Sequence, residues 1–212
     1  MMMNDDAQLL RSEIAAAAAR LIAQDGADYN TAKRKAARQI LGEAQGGAQG
    51  GSYLLPDNAQ IEAEVRLYNA LFLADTQPAR LFQLRCTALQ VMEALAQFHP
   101  YLSGAVFNGT AGPHAEIHLQ LFAESAKEVQ IFLLDKNVNI DISASPHFKG
   151  ARHDPVETVS FLWREEGVHA ALYELDDLRG ALKPKVDGKT VRTDASGLRA
   201  LLAASAHGQA GA

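Results

Sequence analysis

The chain has 212 residues, of which 48% are hydrophobic and 21% charged, and its formal net charge of -5 gives no electrostatic basis for general nucleic-acid binding. The single cysteine, Cys86, excludes an intrachain disulfide. The first ten residues carry acids where a secretory signal carries bases, and no apolar run is long enough to span a bilayer, so we expect a cytoplasmic protein without a membrane segment.

The N-terminal part is predicted to be a helical arm, residues 1–42, followed by a flexible linker. Apolar residues at three- and four-residue steps over 5–24 indicate one amphipathic helix. A second helix is expected to end at Gly42. The glycine-rich stretch 43–56 is typical of a linker. Because two helices bury too little surface to be stable alone, the arm is expected to dock onto the core or onto a second copy, which leaves a homo-oligomer open.

Residues 57–183 are predicted to form the core, and residues 184–212 a polar loop with a last helix. The core should begin with two helices, the second starting at Pro78. A strictly alternating run over 116–123 indicates a strand, and helical spacing returns over 125–136. Together these patterns predict an α+β fold in which helices flank a mixed sheet of about five strands.

The most informative stretch is "NGTAGPHAEIHLQLFAES", residues 108–125. It places Glu116 and His118 two residues apart, so that both side chains leave the same face of a strand about 7 Å apart. Carboxylates at that spacing can share divalent cations, and a preceding turn can bind phosphate through its backbone N–H groups. An acid and an imidazole on one strand face therefore suggest a site.

The run from Tyr101 to Ala123 resembles the nucleotidyltransferase fold shared by DNA polymerase beta and the minimal nucleotidyltransferases. In that superfamily an apolar strand ends in Gly-Gly or Gly-Ser, the next strand carries an acid, an apolar residue and a second acid, and a later strand supplies a third acid. "AVFNGT" is similar to the first strand and its turn, "AEIHLQLF" to the acidic strand, and "VNIDIS" to the third. The matching positions are Gly109 and Thr110 in the turn, Glu116 and His118 in the acid positions, and Asp141 as the third acid.

The resemblance implies transfer of NMP from a nucleoside triphosphate to an unknown acceptor hydroxyl. Glu116, His118 and Asp141 would then be the catalytic and metal-binding residues, with Mg²⁺ or Mn²⁺ as cofactor. Gly109 and Thr110 would bind the triphosphate. The expected partners are a nucleotide and the acceptor.

An alternative is a catalytically inactive module that binds a nucleotide or a protein on the same fold. Two features favour it: His118 stands where the family has a second carboxylate, and only residues 111–115 separate Thr110 from Glu116. If no chemistry occurs, Glu116 and His118 belong to the solvated face of a strand and Gly109 to a simple hairpin turn. Asp141 would then cap or pair locally.

Two further interpretations remain open at this stage. His114 and His118 could form a Zn²⁺ site with Glu116, although no further ligand stands at a characteristic spacing. Basic residues of the second helix form either a solvated face or a contact for phosphate or RNA. They are Lys33, Arg34, Lys35 and Arg38. The chain lacks a P-loop and a Gly-x-Ser-x-Gly elbow, and "NGTAG" lacks the lysine of a Mur-ligase phosphate loop.

Overall fold

The computed structural model describes residues 2–27, 29–42, 54–150, 152–181 and 190–209. The chain forms two compact units. Unit 1 comprises Met1–Arg80 and Thr110–Ala115, and unit 2 comprises Leu81–Gly109 and Glu116–Ala212. Most of the predicted linker, 43–56, lies outside the described residues, as does the start of the predicted C-terminal segment, 184–212.

Unit 1 is helical. Its helices are α1 (Met2–Asp25), α2 (Tyr29–Leu41) and α3 (Asn58–Phe72). Small side chains of α1 and α2 let the two backbones approach closely, and α3 adds two larger ones to the same core. The buried residues of this core are Ile14, Ala15, Ala18, Ala19, Ile22, Ala32, Ala36, Ala37, Ile61 and Val65. The predicted arm therefore shares its core with α3, which the sequence pattern placed among residues 57–183.

A capping box starts α3. The Asp57 carboxylate accepts a 2.7 Å hydrogen bond from the backbone N–H of Gln60, whose side chain accepts one from Asp57 in return at 2.9 Å. Unit 1 also fixes its second segment, Thr110–Ala115, through backbone carbonyls. Asn69 donates to the Thr110 carbonyl at 3.3 Å and Gln77 to that of Ala111 at 3.0 Å.

Unit 2 combines helices with a sheet. Its helices are most of α4 (Gln77–Ala94), α5 (Gly104–Asn108), α6 (Ala126–Asp135), α7 (Leu178–Ala181) and α8 (Ala195–Gln209). Ser125 caps α6, as its sequence predicts, by accepting a 3.3 Å hydrogen bond from the Lys127 backbone N–H. The helix α6 packs on the sheet and buries Val129 and Leu133.

In the described part of the chain, the sheet has six strands. They are β1 (Tyr101–Ser103), β2 (Ile117–Ala123), β3 (Asp141–Ser145), β4 (Val156–Trp163), β5 (Glu166–Glu174) and β6 (Arg192–Thr193). Their order is β3-β4-β5-β2-β1-β6, and only the β2–β5 pair is parallel. The predicted α+β class and the mixed sheet flanked by helices are confirmed. The sixth strand is β6, which the sequence pattern missed because its two residues lie in a polar stretch.

The two faces of the sheet differ in chemistry. One face is apolar and buried, with Leu119 on β2 and Ala170 on β5 fully or almost fully excluded from solvent. On the opposite face, aromatic side chains cover one end of the strands, where Phe122 stacks on Tyr173 with ring centroids 5.5 Å apart. The other end of that face carries polar side chains and is open to solvent. This open end contains the candidate site.

One predicted strand is wrong. "AVFNGT" was expected to be extended, but β1 ends at Ser103 and residues 104–108 form α5. Gly104 has φ +69°, which turns the chain directly after β1, and Gly109 with φ +87° ends the helix. Arg85 fixes the helix end by donating to the carbonyls of Val106 and Phe107, both at 3.0 Å.

Strands β4 and β5 form an antiparallel hairpin with a two-residue turn. Trp163 pairs with Glu166, so the turn residues are Arg164 and Glu165. Both have positive φ, 50° and 71°, as a two-residue type I′ hairpin requires.

Among the described residues, no helix combines the length and apolarity that a membrane crossing needs.

Candidate functional site

A row of polar residues crosses all six strands on the open face of unit 2. Each member lies directly opposite the next in the strand register, and residues paired in this way point to the same side of a sheet. From β3 to β6 the row is Asp141, Ser160, His169, His118, Ser103 and Arg192. The sheet thus assembles side chains that are far apart in the sequence.

Ser160 and His169 of this row form a hydrogen-bonded chain with Glu116, which directly precedes β2. The Ser160 Oγ lies 2.8 Å from Nδ1 of His169, and the His169 Nε2 lies 2.7 Å from Oε2 of Glu116. A carboxylate only accepts hydrogen bonds, so His169 must carry its hydrogen on Nε2. In the neutral imidazole, Nδ1 is then the acceptor, and the Ser160 hydroxyl donates to it. Glu116 therefore fixes the tautomer that makes His169 a base towards Ser160.

Gly167 makes room for the Glu116 carboxylate. A Cβ at position 167 would lie 2.7 Å from Oε1 of Glu116 and 3.2 Å from its Cδ, closer than atoms in van der Waals contact. The backbone of β5 therefore approaches the carboxylate as only glycine permits. This packing restricts where the carboxylate can point, although 54% of the Glu116 side chain remains exposed.

His118 lies beside this chain and stacks on His169, with ring centroids 5.2 Å apart and an interplanar angle of 21°. His118 is exposed on the open face of the sheet, and neighbouring protein atoms partly desolvate its ring. This desolvation lowers the pKa of His118 below its ordinary 6.5, and the His169 ring acts in the same direction. Glu116 acts in the opposite direction and is outweighed. His118 is therefore neutral at physiological pH and can act as a ligand through nitrogen.

A cleft of about 500 Å³ opens beside the hydrogen-bonded residues Ser160, His169 and Glu116. It is lined by the three bonded residues, Asp141, Gly167, two asparagines and several apolar side chains. Among the described residues that line it, the acids Glu116 and Asp141 are present and no lysine or arginine is. The cleft is thus acidic, and an anionic ligand would need cations to offset that charge.

The structure brings some of the predicted site residues together. Glu116 directly precedes β2 and bonds with His169, and His118 stacks on the same ring. Asp141 lines the same cleft and lies in the same row, but β4 and β5 separate its strand from β2. Three inter-strand steps of about 4.8 Å put the backbones of Asp141 and His118 roughly 14 Å apart.

Gly109 and Thr110 do not form a turn between two strands. Gly109 ends α5 in unit 2. Thr110 belongs to unit 1, where its side chain is 1% exposed and its Oγ1 lies 3.3 Å from the Tyr29 hydroxyl. The small residues at the end of β1, next to His118 of β2, are instead Ser103 and Gly104. A Cβ on Gly104 would lie 3.6 Å from that of His118.

A metal site at Glu116, His118 and Asp141 stays a prediction. Among the described residues, no three His, Cys, Asp or Glu side chains are arranged so that they could hold one ion together. The donor atoms nevertheless suit a divalent cation. Glu116 and Asp141 offer oxygens, and the neutral imidazole of His118 would bind Mn²⁺ more readily than Mg²⁺. The predicted ligands thus have suitable donor atoms, and two of them, Glu116 and Asp141, line the cleft.

No pattern in the sequence indicated Ser160 and His169 as site residues. They stand nine residues apart on opposite arms of a hairpin, and Glu116 is 53 residues from His169. No local motif links such positions. The available signal was the hairpin register: once Arg164 and Glu165 are recognised as the turn, Ser160 and His169 become a directly opposed pair.

Comparisons of the chain with family models, with curated proteins and with solved structures found no match. The function is therefore inferred from the geometry of these residues and from the resemblance of the motif.

Proposed function

We propose that this protein is nucleotidyltransferase-like: the cleft of unit 2 binds a nucleoside triphosphate with a divalent cation and transfers NMP to an acceptor hydroxyl. The observation that carries the proposal is the sequence of elements at the site. An apolar strand, β1, ends in Ser103-Gly104, a short helix follows, and β2 begins beside Glu116 and His118.

The corrected turn strengthens the resemblance. A turn at Gly109 and Thr110 would leave only five residues, 111–115, between the turn and Glu116. The family has a helical segment of about ten residues there. With the turn at Ser103-Gly104, the eleven residues 105–115 separate it from Glu116, and they include residues 105–108 of α5. Strand, small-residue turn, helix and acidic strand now follow one another in the family's order.

The charge of the cleft explains why a cation would be needed. A triphosphate brings several negative charges to a cleft that already contains Glu116 and Asp141. Either Glu116 with the neighbouring His118, or Asp141 two strands away from His169, would hold the cation. When bound, the cation would neutralise phosphate charge and polarise the reacting phosphoryl group.

His169 supplies the proton acceptor of this proposal. Its Nδ1 is the acceptor nitrogen because the Glu116 carboxylate, 2.7 Å from Nε2, holds the hydrogen on Nε2. An acceptor hydroxyl that replaced Ser160 as the donor to Nδ1 would lose its proton to His169 as it attacked phosphorus. Glu116 would stabilise the resulting imidazolium through the same hydrogen bond.

Nucleotide binding and pyrophosphate release test the proposal. We expect a nonhydrolysable triphosphate to bind in the presence of Mn²⁺, and Glu116→Ala to weaken that binding at least about tenfold. Glu174→Gln is the matched control, because Glu174 is an exposed acid at the far end of β5 and does not line the cleft. With the four natural triphosphates, pyrophosphate should accumulate. If Glu116→Ala and Asp141→Ala bind triphosphate as the unmodified protein does, the proposal fails.

The second candidate is binding without transfer. The presence of His118 in the second acid position and the separation of Asp141 from β2 favour it, because two-metal chemistry holds both cations with closely spaced carboxylates. Triphosphate binding that depends on Glu116, without pyrophosphate release under either Mg²⁺ or Mn²⁺, would support this candidate over the transferase.

A further inference from the structure

We propose that Ser160 is a nucleophile, activated by His169 and Glu116, that attacks carboxylic esters carrying a positive charge. This activity goes beyond nucleotidyl transfer and needs no cation. Its basis is the continuous chain from the Ser160 hydroxyl through the imidazole to the carboxylate, with heavy-atom distances of 2.8 and 2.7 Å.

The hydrogen bonds that link Ser160, His169 and Glu116 run in the direction that activates the Ser160 hydroxyl. Glu116 accepts from Nε2, so Nδ1 has a free lone pair directed at the Ser160 hydroxyl. A weak nucleophile becomes reactive when a base within hydrogen-bond distance removes its proton and a third group orients that base. Ser160, His169 and Glu116 fill these three roles, and Gly167 limits the positions that the orienting carboxylate can take.

The three groups are also accessible. Ser160 is half-buried, 29% of the His169 side chain is exposed, and both line the cleft of about 500 Å³. A residue in a strand that served only to pack would lie on the apolar face, where Val159 and Phe161 are buried. Ser160 instead points to the open face, where a small ester can reach its oxygen.

Charge sets the substrate class. Asp141 lies directly opposite Ser160 in the β3–β4 register, which places their Cβ atoms about 5 Å apart. Its carboxylate is exposed, and no basic side chain is among the described residues that line the cleft. A substrate with an ammonium group next to the ester would gain from Asp141, whereas an anionic ester would be repelled.

The reaction is a balanced hydrolysis. The Ser160 Oγ forms a bond to the carbonyl carbon as its proton moves to Nδ1 of His169. The bond between that carbon and the alcohol oxygen then breaks, and His169 returns the proton to the departing alcohol. Water attacks the acyl-serine, gives one proton to His169 and releases the acid, and His169 reprotonates Ser160. No oxidant, reductant or further reactant is consumed.

A fluorophosphonate probe, which forms a covalent bond with reactive serine hydroxyls, tests the nucleophile. Peptide mass spectrometry after labelling of the full chain in EDTA should place the adduct on Ser160, and Ser160→Ala should abolish it. His169→Gln should slow labelling about 100-fold, within the range that a positioned base contributes. Ser143→Ala is the matched control, since Ser143 is an exposed serine on the same sheet face with no histidine opposite it in the register.

Glu116 is a positioning residue here, and Glu116→Gln separates that role from a purely structural one. Labelling of Ser160 should slow at least about tenfold, and the nitrogen-15 shifts of His169 should show a mixture of tautomers, while the circular dichroism spectrum stays unchanged. An adduct absent from Ser160, or equally fast on Ser143 and Ser160, overturns the proposal.

Acetylcholine and its uncharged analogue 3,3-dimethylbutyl acetate test the substrate class. We expect the cationic ester to be hydrolysed about tenfold faster, and Asp141→Asn to remove the difference, since one charge pair near a surface changes the rate by about this factor. Equal rates for the two esters in the unmodified protein overturn the assignment to cationic esters. Failure of triphosphate binding would leave these results unaffected.

Discussion

Gly167→Ala is the sharpest perturbation of the site, because it moves one carboxylate without removing any functional group. The new Cβ would lie 2.7 Å from Oε1 of Glu116, so the carboxylate must rotate away and lose its 2.7 Å hydrogen bond with His169. The obstructing atoms are the end of a flexible, half-exposed side chain. The backbone can therefore stay in place.

The effect on stability should be small. Loss of a hydrogen bond or ion pair at this exposure costs at most about 1 kcal/mol. Replacement of glycine by alanine within a strand returns about 0.5–1 kcal/mol through the unfolded state. The two terms nearly cancel, so the melting temperature should change by no more than about 2 °C, given the usual shift of 2–4 °C per kcal/mol for a chain of this size.

The effect on the site should be large by comparison. Once the Glu116 carboxylate has moved away, it no longer fixes the hydrogen on Nε2 of His169. Fluorophosphonate labelling of Ser160 should then slow at least about tenfold. Nitrogen-15 NMR of His169 measures the tautomer directly, and Gly180→Ala is the control, because the added Cβ there meets only the flexible end of Lys149. A Gly167→Ala protein with the original His169 tautomer and the original labelling rate would refute this account of Glu116.

Three further predictions concern other parts of unit 2. The pKa of His118, measured by proton NMR, should lie below 6.5, since burial lowers it in the folded state. Below about pH 6.5 the unfolded chain then binds more protons than the folded chain, so the unfolding free energy falls as the pH drops from 6.5 towards the folded-state pKa. His118→Asn should reduce this pH dependence. A His118 pKa at or above 6.5 would contradict the desolvation argument. Arg164→Asn combined with Glu165→Gly should raise the unfolding free energy in urea by about 1–2 kcal/mol, because both turn residues have positive φ; no gain would argue against a type I′ turn. Arg85→Met should lower the unfolding free energy by about 2 kcal/mol, because the carbonyls of Val106 and Phe107 lose a buried charged donor. An unchanged urea midpoint of unfolding would show that Arg85 does not fix α5.

Local patterns predicted the elements whose signals lie within a few residues. Strict alternation located β2, and Ser125 at the start of a helical pattern located α6. The error at "AVFNGT" has a local cause too, since β-rich side chains outweighed Gly104, whose positive φ ends β1 after three residues. Propensity alone does not show where such a glycine turns the chain.

The site was predictable only in part. Glu116 and His118 stand two residues apart, so one strand sufficed to put them together. Ser160 and His169 join them through pairings of β4 with β5 and of β5 with β2, and the parallel β2–β5 pairing connects residues about 50 positions apart. A single sequence contains no local record of that register, which is why the hydrogen-bonded chain could not be derived before the sheet was known.

The proposed nucleotidyl transfer takes place in the cleft beside Glu116, and crystallography tests that location most directly. Crystals soaked with Mn²⁺ and a nonhydrolysable triphosphate should show anomalous density for manganese in this cleft, next to Glu116, His118 or Asp141, and Glu116→Ala should remove or displace it. Manganese and triphosphate bound at another surface, such as the basic face of α2 around Arg34 and Arg38, would contradict the account.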